Sequence, residues 1–236
     1  MLETCRVGDV ENVVEQFQME CRPEHRYASF DYCYNYFQGC SPDRLEEDIE
    51  KACLELAFYL ASWGMLRGSS FLLQKSIKHY EPLIKYIIVL KRDNHNIWKI
   101  DVDSYTEGNM GSILEVYNEI AKVILGDGGN RHLVLSTKIM LGVFGCIPAF
   151  DEYFTRTFRG LCRNMHGRHG FRSVNMRNLE QIKFFYESNK SEIDNLGETI
   201  HTLDFETGEP TSRRYSKAKI IDMYGFSKSF IKKNDK

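Results

Sequence analysis

Ser41-Pro42-Asp43-Arg44-Leu45-Glu46-Glu47-Asp48-Ile49-Glu50-Lys51-Ala52-Cys53-Leu54-Glu55-Leu56-Ala57-Phe58-Tyr59-Leu60 is the stretch whose reading decides the fold. Ser41 supplies an N-cap oxygen, and Pro42 suits the first helical turn, where a missing N–H is no loss. Leu45, Ile49, Ala52, Cys53, Leu56 and Leu60 then recur at spacings of three and four, the period of one helix face. Through residues 58–63 the pattern becomes apolar nearly all round, which predicts a buried helix. A break is expected at 64–68, a second helix from Ser69 or Ser70 towards His79, and a third opening at Glu81-Pro82 and ending near Lys91.

The same period recurs outward from this segment. Residues 93–110 are polar and rich in turn formers, so they read as a connection. Ile113, Val116, Tyr117, Ile120, Val123 and Ile124 mark one face of a helix over 112–125, closed by Asp127-Gly128-Gly129-Asn130. Shorter helices are predicted over 137–144, 148–161 and 178–188, a loop over 198–212, and a closing helix over 216–230. No internal repeat and no strand alternation is visible. The predicted class is all-α: a two-lobed helical bundle with a cleft between lobes, residues 1–92 forming one lobe, 93–110 the connection and 111–236 the other.

At 236 residues and 42% hydrophobic content, the chain is long and apolar enough for a sizeable core. The net charge of −2 offers no global attraction to nucleic acid, so any such footprint must be local. Seven cysteines with no C-x-x-C pair argue against a disulfide framework or a metal cluster. The first fifteen residues lack the apolar core of a secretory signal, and no apolar run is long enough to span a bilayer. These features predict a reduced, cytoplasmic, monomeric protein without metal, cofactor or membrane partner.

The chemistry-bearing stretch is Ser136-Thr137-Lys138-Ile139-Met140, followed thirteen residues after the lysine by Asp151 of Pro148-Ala149-Phe150-Asp151. Lys138 is expected on the first turn of a helix, where free backbone N–H groups favour a phosphate. Asp151 opens the next helix, where the dipole favours its ionised form. A carboxylate facing a lysine across a cleft could deprotonate water or steady a developing cation. The ordinary roles stay open at this point: helix lysines are commonly solvated, and an Asp after Pro-x-x is commonly an N-cap. Arg156, Arg159, Arg163, Arg168, Arg172 and Arg177 follow with no acid interleaved. Such a tract could neutralise phosphates, or could be a solvated face.

The order of these parts resembles the helix–hairpin–helix DNA glycosylases, particularly their 8-oxoguanine branch. Helix 112–125, a hairpin over 127–136, the turn Ser136-Thr137-Lys138 and the proline-flanked Asp151 correspond to that family's elements. The resemblance covers roughly residues 110–165. The family's Pro-Gly-Val-Gly hairpin is replaced here by Gly-Gly-Asn-Arg-His-Leu-Val-Leu-Ser, and the interval from lysine to aspartate is shorter. In general plan the chain is also similar to small bacterial glycosylases that excise modified bases from phage DNA. The resemblance implies double-stranded DNA as partner, with Asn130 and Arg131 on it. It further implies Asp151 assisting loss of a flipped base, and Lys138 as imine-forming nucleophile or positioning residue.

A flipped base needs a pocket of aromatic and polar groups. Trp63, Arg67, Ser69, Ser70 and Gln74 are candidates for its wall, although a capping Ser69 and an internally paired Arg67 would be purely structural. The aromatic run 27–37 could stack on bases, but fits core packing better. Two rivals differ in class. Arg163 and His169 resemble the R-x(4–6)-H signature of all-α HEPN ribonucleases, although Gly167 and Gly170 bracket the histidine. A non-enzymatic helical nucleic-acid-binding module would need the arginines alone.

Overall fold

The computed structural model describes residues 5–125, 133–162 and 170–234. Its helices among these residues are α1 (Val10–Gln18), α2 (Ser29–Gly39), α3 (Pro42–Glu47), α4 (Ile49–Ser62), α5 (Glu81–Arg92), α6 (Glu107–Leu125), α7 (Leu133–Phe144), α8 (Glu152–Leu161), α9 (Met176–Ser188), α10 (Lys190–Thr199) and α11 (Lys217–Asn234). Among the described residues one antiparallel pair of strands, β1 (His201–Leu203) and β2 (Pro210–Arg214), accompanies these helices. The fold is all-α.

The deciding stretch is two helices rather than one. Ser41 accepts from the backbone N–H of Arg44 and starts α3. Asp48 then leaves helical geometry at φ −132°, and its side chain caps α4 by accepting from the N–H of Lys51. The apolar period crosses this break unharmed because Leu45 and the α4 face both point inward, with Leu45, Ala52, Leu56, Tyr59 and Leu60 buried.

Other local expectations need correction. The helix expected after Ser69 is a pair of 3-10 turns, Phe71–Gln74 and Ile77–Tyr80, the first capped by Ser70 rather than Ser69. Within 93–110 lie two more 3-10 turns and the first residues of α6, which starts at Glu107 rather than 112. Residues 198–212 carry the hairpin, with Thr202 and Thr211 hydroxyls 2.6 Å apart across it. Asn35 on α2 donates to Leu203 O, tying the hairpin to the helices. The aromatic run 27–37 is core, as Tyr27, Phe30, Tyr34 and Phe37 are buried.

α7 is the central element: every side chain from Leu135 to Phe144 is buried, Lys138 included. Helices α2, α4 and α6 pack around it, while α11 packs on α8, α1 and α10. Gly142 permits the tight α4–α7 approach, since a Cβ there would lie 2.4 Å from Cε1 of Tyr59. All seven cysteines are free thiols. Among the described residues no helix is long and apolar enough to cross a membrane.

Candidate active site

α7 begins at Leu133, which places Lys138 in its second turn rather than its first. The backbone N–H of Lys138 is therefore inside the helix ladder, and the expected phosphate site at a helix start does not lie at this residue. The side chain is not solvated either. Its Nζ donates to the carbonyl of Trp63 at 2.6 Å, which caps the C-terminal end of α4. The Asp151 carboxylate lies 3.9 Å away, and the two side chains are 7% and 15% exposed.

Asp151 is an N-cap as well as Lys138's partner. In extended conformation at φ −78°, ψ −179°, it accepts the Phe154 N–H through Oδ1 at 2.9 Å and begins α8. Oδ2 is the oxygen that faces Lys138. The capping and the functional readings of the sequence are thus compatible, one to each carboxyl oxygen.

Burial pushes the Lys138 amine below the ordinary lysine range, with Asp151 and Asp222 pulling it back up. Burial likewise pushes the Asp151 carboxyl up, with Lys138 opposing. Desolvation disfavours both charged forms, and the mutual attraction of the two side chains opposes it.

Five side chains from separate elements hold this arrangement. Thr137 is the structural reason for the Thr-Lys dipeptide: its hydroxyl donates to Leu133 O at 2.7 Å and accepts the Phe150 N–H at 3.0 Å. Thr137 and Lys138 therefore grip Phe150 and Asp151 in turn. Asp222 on α11 accepts the Ala149 N–H at 3.0 Å. Tyr105 donates to Cys146 O at 2.6 Å, and Gln38 donates to Val143 O at 3.0 Å. Tyr59 donates to Lys138 O at 3.0 Å. Gly145, at φ +68°, makes the reversal that lets α7 end and the turn begin.

A second buried lysine stands beside the first. Lys219 Nζ lies 3.2 Å from Asp222 Oδ2 and 4.4 Å from the ring centroids of both Trp63 and Phe30. Trp63 is itself 5.3 Å from Tyr27 and 6.3 Å from Phe226, so the charges sit against an aromatic wall. Among the described residues the buried Trp63 Nε1 and Ser136 Oγ atoms meet no hydrogen-bond partner.

Of the expected pocket wall, Trp63 and Arg67 reach this cluster. The Arg67 guanidinium folds over Gly64, and its charge is a lesser influence holding the Lys138 amine down. Ser69 and Gln74 are exposed on the turns beyond. In the basic tract, Arg156 pairs with Glu152 one turn earlier, so the acid just before the tract neutralises its first member. Arg159 donates to Gly170 O at 2.7 Å, while Arg172 and Arg177 are exposed. Asn130 and Arg131 of the expected hairpin, and Arg163, Arg168 and His169, lie outside the described residues; 133–136 of that hairpin is helical.

Sequence reasoning missed Tyr59, Lys219 and Asp222. For the last two a signal existed in Ala218-Lys219-Ile220-Ile221-Asp222-Met223-Tyr224, where charges interrupt an apolar run. Among the described residues no three His, Cys, Asp or Glu side chains converge as a metal site. No family model matches the chain, and neither a curated protein nor a solved structure is similar to it.

Proposed function

We propose that the chain is a DNA N-glycosylase that hydrolyses the glycosidic bond of a modified or damaged base flipped from duplex DNA, leaving an abasic site. We further propose excision of modified bases, as in defence against phage, as its setting. The observation that carries this reading is the buried Lys138–Asp151 pair, 3.9 Å apart at the junction of α7 and α8.

Two needs of the reaction match two properties of the pair. As the bond from C1′ to the base nitrogen breaks, positive charge develops on the sugar, and a fixed carboxylate in a low-dielectric setting stabilises it. Asp151 is held for that purpose by its cap bond and by the Thr137 and Asp222 contacts around it. The base leaves with the bonding electrons, and the oxygen of a water takes its place on C1′ while Asp151 accepts a proton from that water. Burial weakens the hold of the Lys138 amine on its proton, and in its neutral form the amine could attack C1′ instead, displacing the base and forming an imine with the opened sugar. The arginines of the tract would neutralise DNA phosphates.

The test is base release from duplexes carrying 8-oxoguanine or phage-type modified bases, read by mass spectrometry of the free bases. Asp151→Asn keeps an oxygen for the Phe154 N–H, so the protein should fold and bind DNA yet release no base. Release at the wild-type rate by this variant overturns the assignment. Borohydride trapping of a Lys138 adduct separates the imine route from the water route.

A further inference from the structure

The carboxylate proposed for the chemistry sits on a turn that is hydrogen-bonded to a side chain of α11. Lys219 and Asp222, one helical turn apart on α11, are 2% and 4% exposed. A buried ion pair is a poor stabiliser, because well-packed apolar side chains of similar volume commonly serve as well or better. What an apolar pair could not do here is accept the Ala149 N–H or place charge beside Lys138 and Asp151. Asp222 does the first with Oδ1, at 3.0 Å, while Oδ2 takes the Lys219 ammonium at 3.2 Å. The ammonium is in turn clamped between the rings of Phe30 and Trp63, each centroid 4.4 Å away. Trp63 is the residue whose carbonyl receives Lys138.

We propose that Lys219 and Asp222 are positioning residues for the Lys138–Asp151 pair: Asp222 fixes the turn that presents Asp151, and Lys219 fixes Asp222 and the Trp63 end of α4 that anchors Lys138. The inference rests on the glycosylase reading of that pair. Neither residue is assigned a contact with DNA.

The pair also acts through its charges. The Asp222 carboxylate favours the protonated forms of both Lys138 and Asp151, and the Lys219 ammonium opposes protonation of Lys138. The other groups facing this cluster are Arg67 from the turn after α4, Tyr59 from α4, Asp31 from α2 and Cys21 from the turn after α1. None of them touches the backbone of the Asp151 turn through a side chain as Asp222 does.

Three variants separate the roles. Asp222→Asn keeps an oxygen for the Ala149 N–H and removes the charge. Asp222→Ala removes both. The double variant Lys219→Met with Asp222→Asn removes the two charges together and keeps the site filled. Each is followed by carbon-13 NMR titration of the Asp151 carboxyl, which needs no substrate, and by base release from a duplex carrying 8-oxoguanine.

In Asp222→Asn the Asp151 titration should move to lower pH, and the acidic limb of the release profile should follow it. In Asp222→Ala kcat should fall about tenfold to a hundredfold, as for misplaced catalytic groups, with KM little changed. The Asn variant should recover part of that loss. An Asp151 titration unmoved in folded Asp222→Asn overturns the proposal, as does wild-type kcat in Asp222→Ala. Should Asp222→Ala fail to fold, wild-type kcat in the double variant overturns the part assigned to Lys219, and an Asp151 titration unmoved there overturns the part assigned to Asp222. These outcomes are distinct from failure of the parent reading, which is base release by Asp151→Asn.

Discussion

Gly142→Ala is the sharpest probe of the scaffold beneath Lys138, because two effects of opposite sign compete and the structure says which wins. Inside a helix, replacing glycine with alanine stabilises by about 1 kcal/mol through backbone entropy alone. The added Cβ, however, would meet Cε1, Cζ and Cδ1 of Tyr59 at 2.4, 2.8 and 2.9 Å. Carbon contacts settle at roughly 3.5–4.0 Å, so ring or backbone must move by roughly 1 Å. Tyr59 cannot simply swing aside: it is 1% exposed, its hydroxyl holds Lys138 O, and Phe30 and Trp63 flank its ring. Overpacking costs about 1–3 kcal/mol, and an approach this close to a ring that cannot swing aside belongs to the upper part of that range, about 2–3 kcal/mol, which outweighs the propensity gain. The expected net loss is about 1–2 kcal/mol, or roughly 2–8 °C in melting temperature for a chain of this size. Gly111→Ala on α6 is the control, since a Cβ there meets nothing within 4 Å and only the gain should remain. Urea and thermal unfolding followed by circular dichroism read both. A Gly142→Ala protein as stable as the parent, or more so, refutes the close α4–α7 contact.

Two further predictions concern buried charge. Burial pushes the Asp31 carboxyl up to about 7 despite its hydrogen bonds from Tyr215 and Leu203. The folded protein thus holds this proton more tightly than the unfolded chain, and the stability so gained is complete below pH ~4 and is lost as pH rises towards 7. Asp31→Asn should flatten the pH dependence of unfolding across that window by at most about 1.4 kcal/mol per pH unit, and an unchanged slope would contradict it. Lys138→Met leaves Asp151 buried without its cation and Trp63 O without its donor, a loss of about 3 kcal/mol when a buried pair is broken. The loss should shrink on acidification, as Asp151 takes up a proton and no longer needs a partner. Urea unfolding at pH 8 and pH 5 checks this, and an equal loss at both would speak against a buried carboxylate.

Much of the fold is legible because helix signals are local. Ser41-Pro42 caps and starts a helix by chemistry confined to four residues, and the apolar period of 49–60 needs no knowledge of what it packs on. The juxtaposition of Lys138 and Asp151 is legible for a similar reason: one helix, one reversal and one cap separate them. What defeats a linear reading is context. Phe71–Gln74 and Ile77–Tyr80 carry helix-like apolar spacing, yet Ser70 and Ser76 restart the chain before either turn can lengthen. The hairpin strands, at 3 and 5 residues, are too short to show alternation. Lys219 and Asp222 have the three-residue spacing of an ordinary solvated helix pair, and only α8, α1 and the turn at Ala149 packing against α11 make them internal. Nor does Lys138 itself show whether it points to water, because that depends on α4 ending at Trp63.

The clamp on the Asp151 turn has a meaning in time as well as in space. Asp222 is synthesised 73 residues after Ala149, a delay of about 4–15 s at roughly 5–20 residues per second. During that interval a nascent chain would carry the amine and the carboxylate but lack the group that aligns them. On the glycosylase reading, a chain that has not yet docked α11 would break bonds at the reduced rate expected of Asp222→Ala, so full activity would arrive with the docking of that helix.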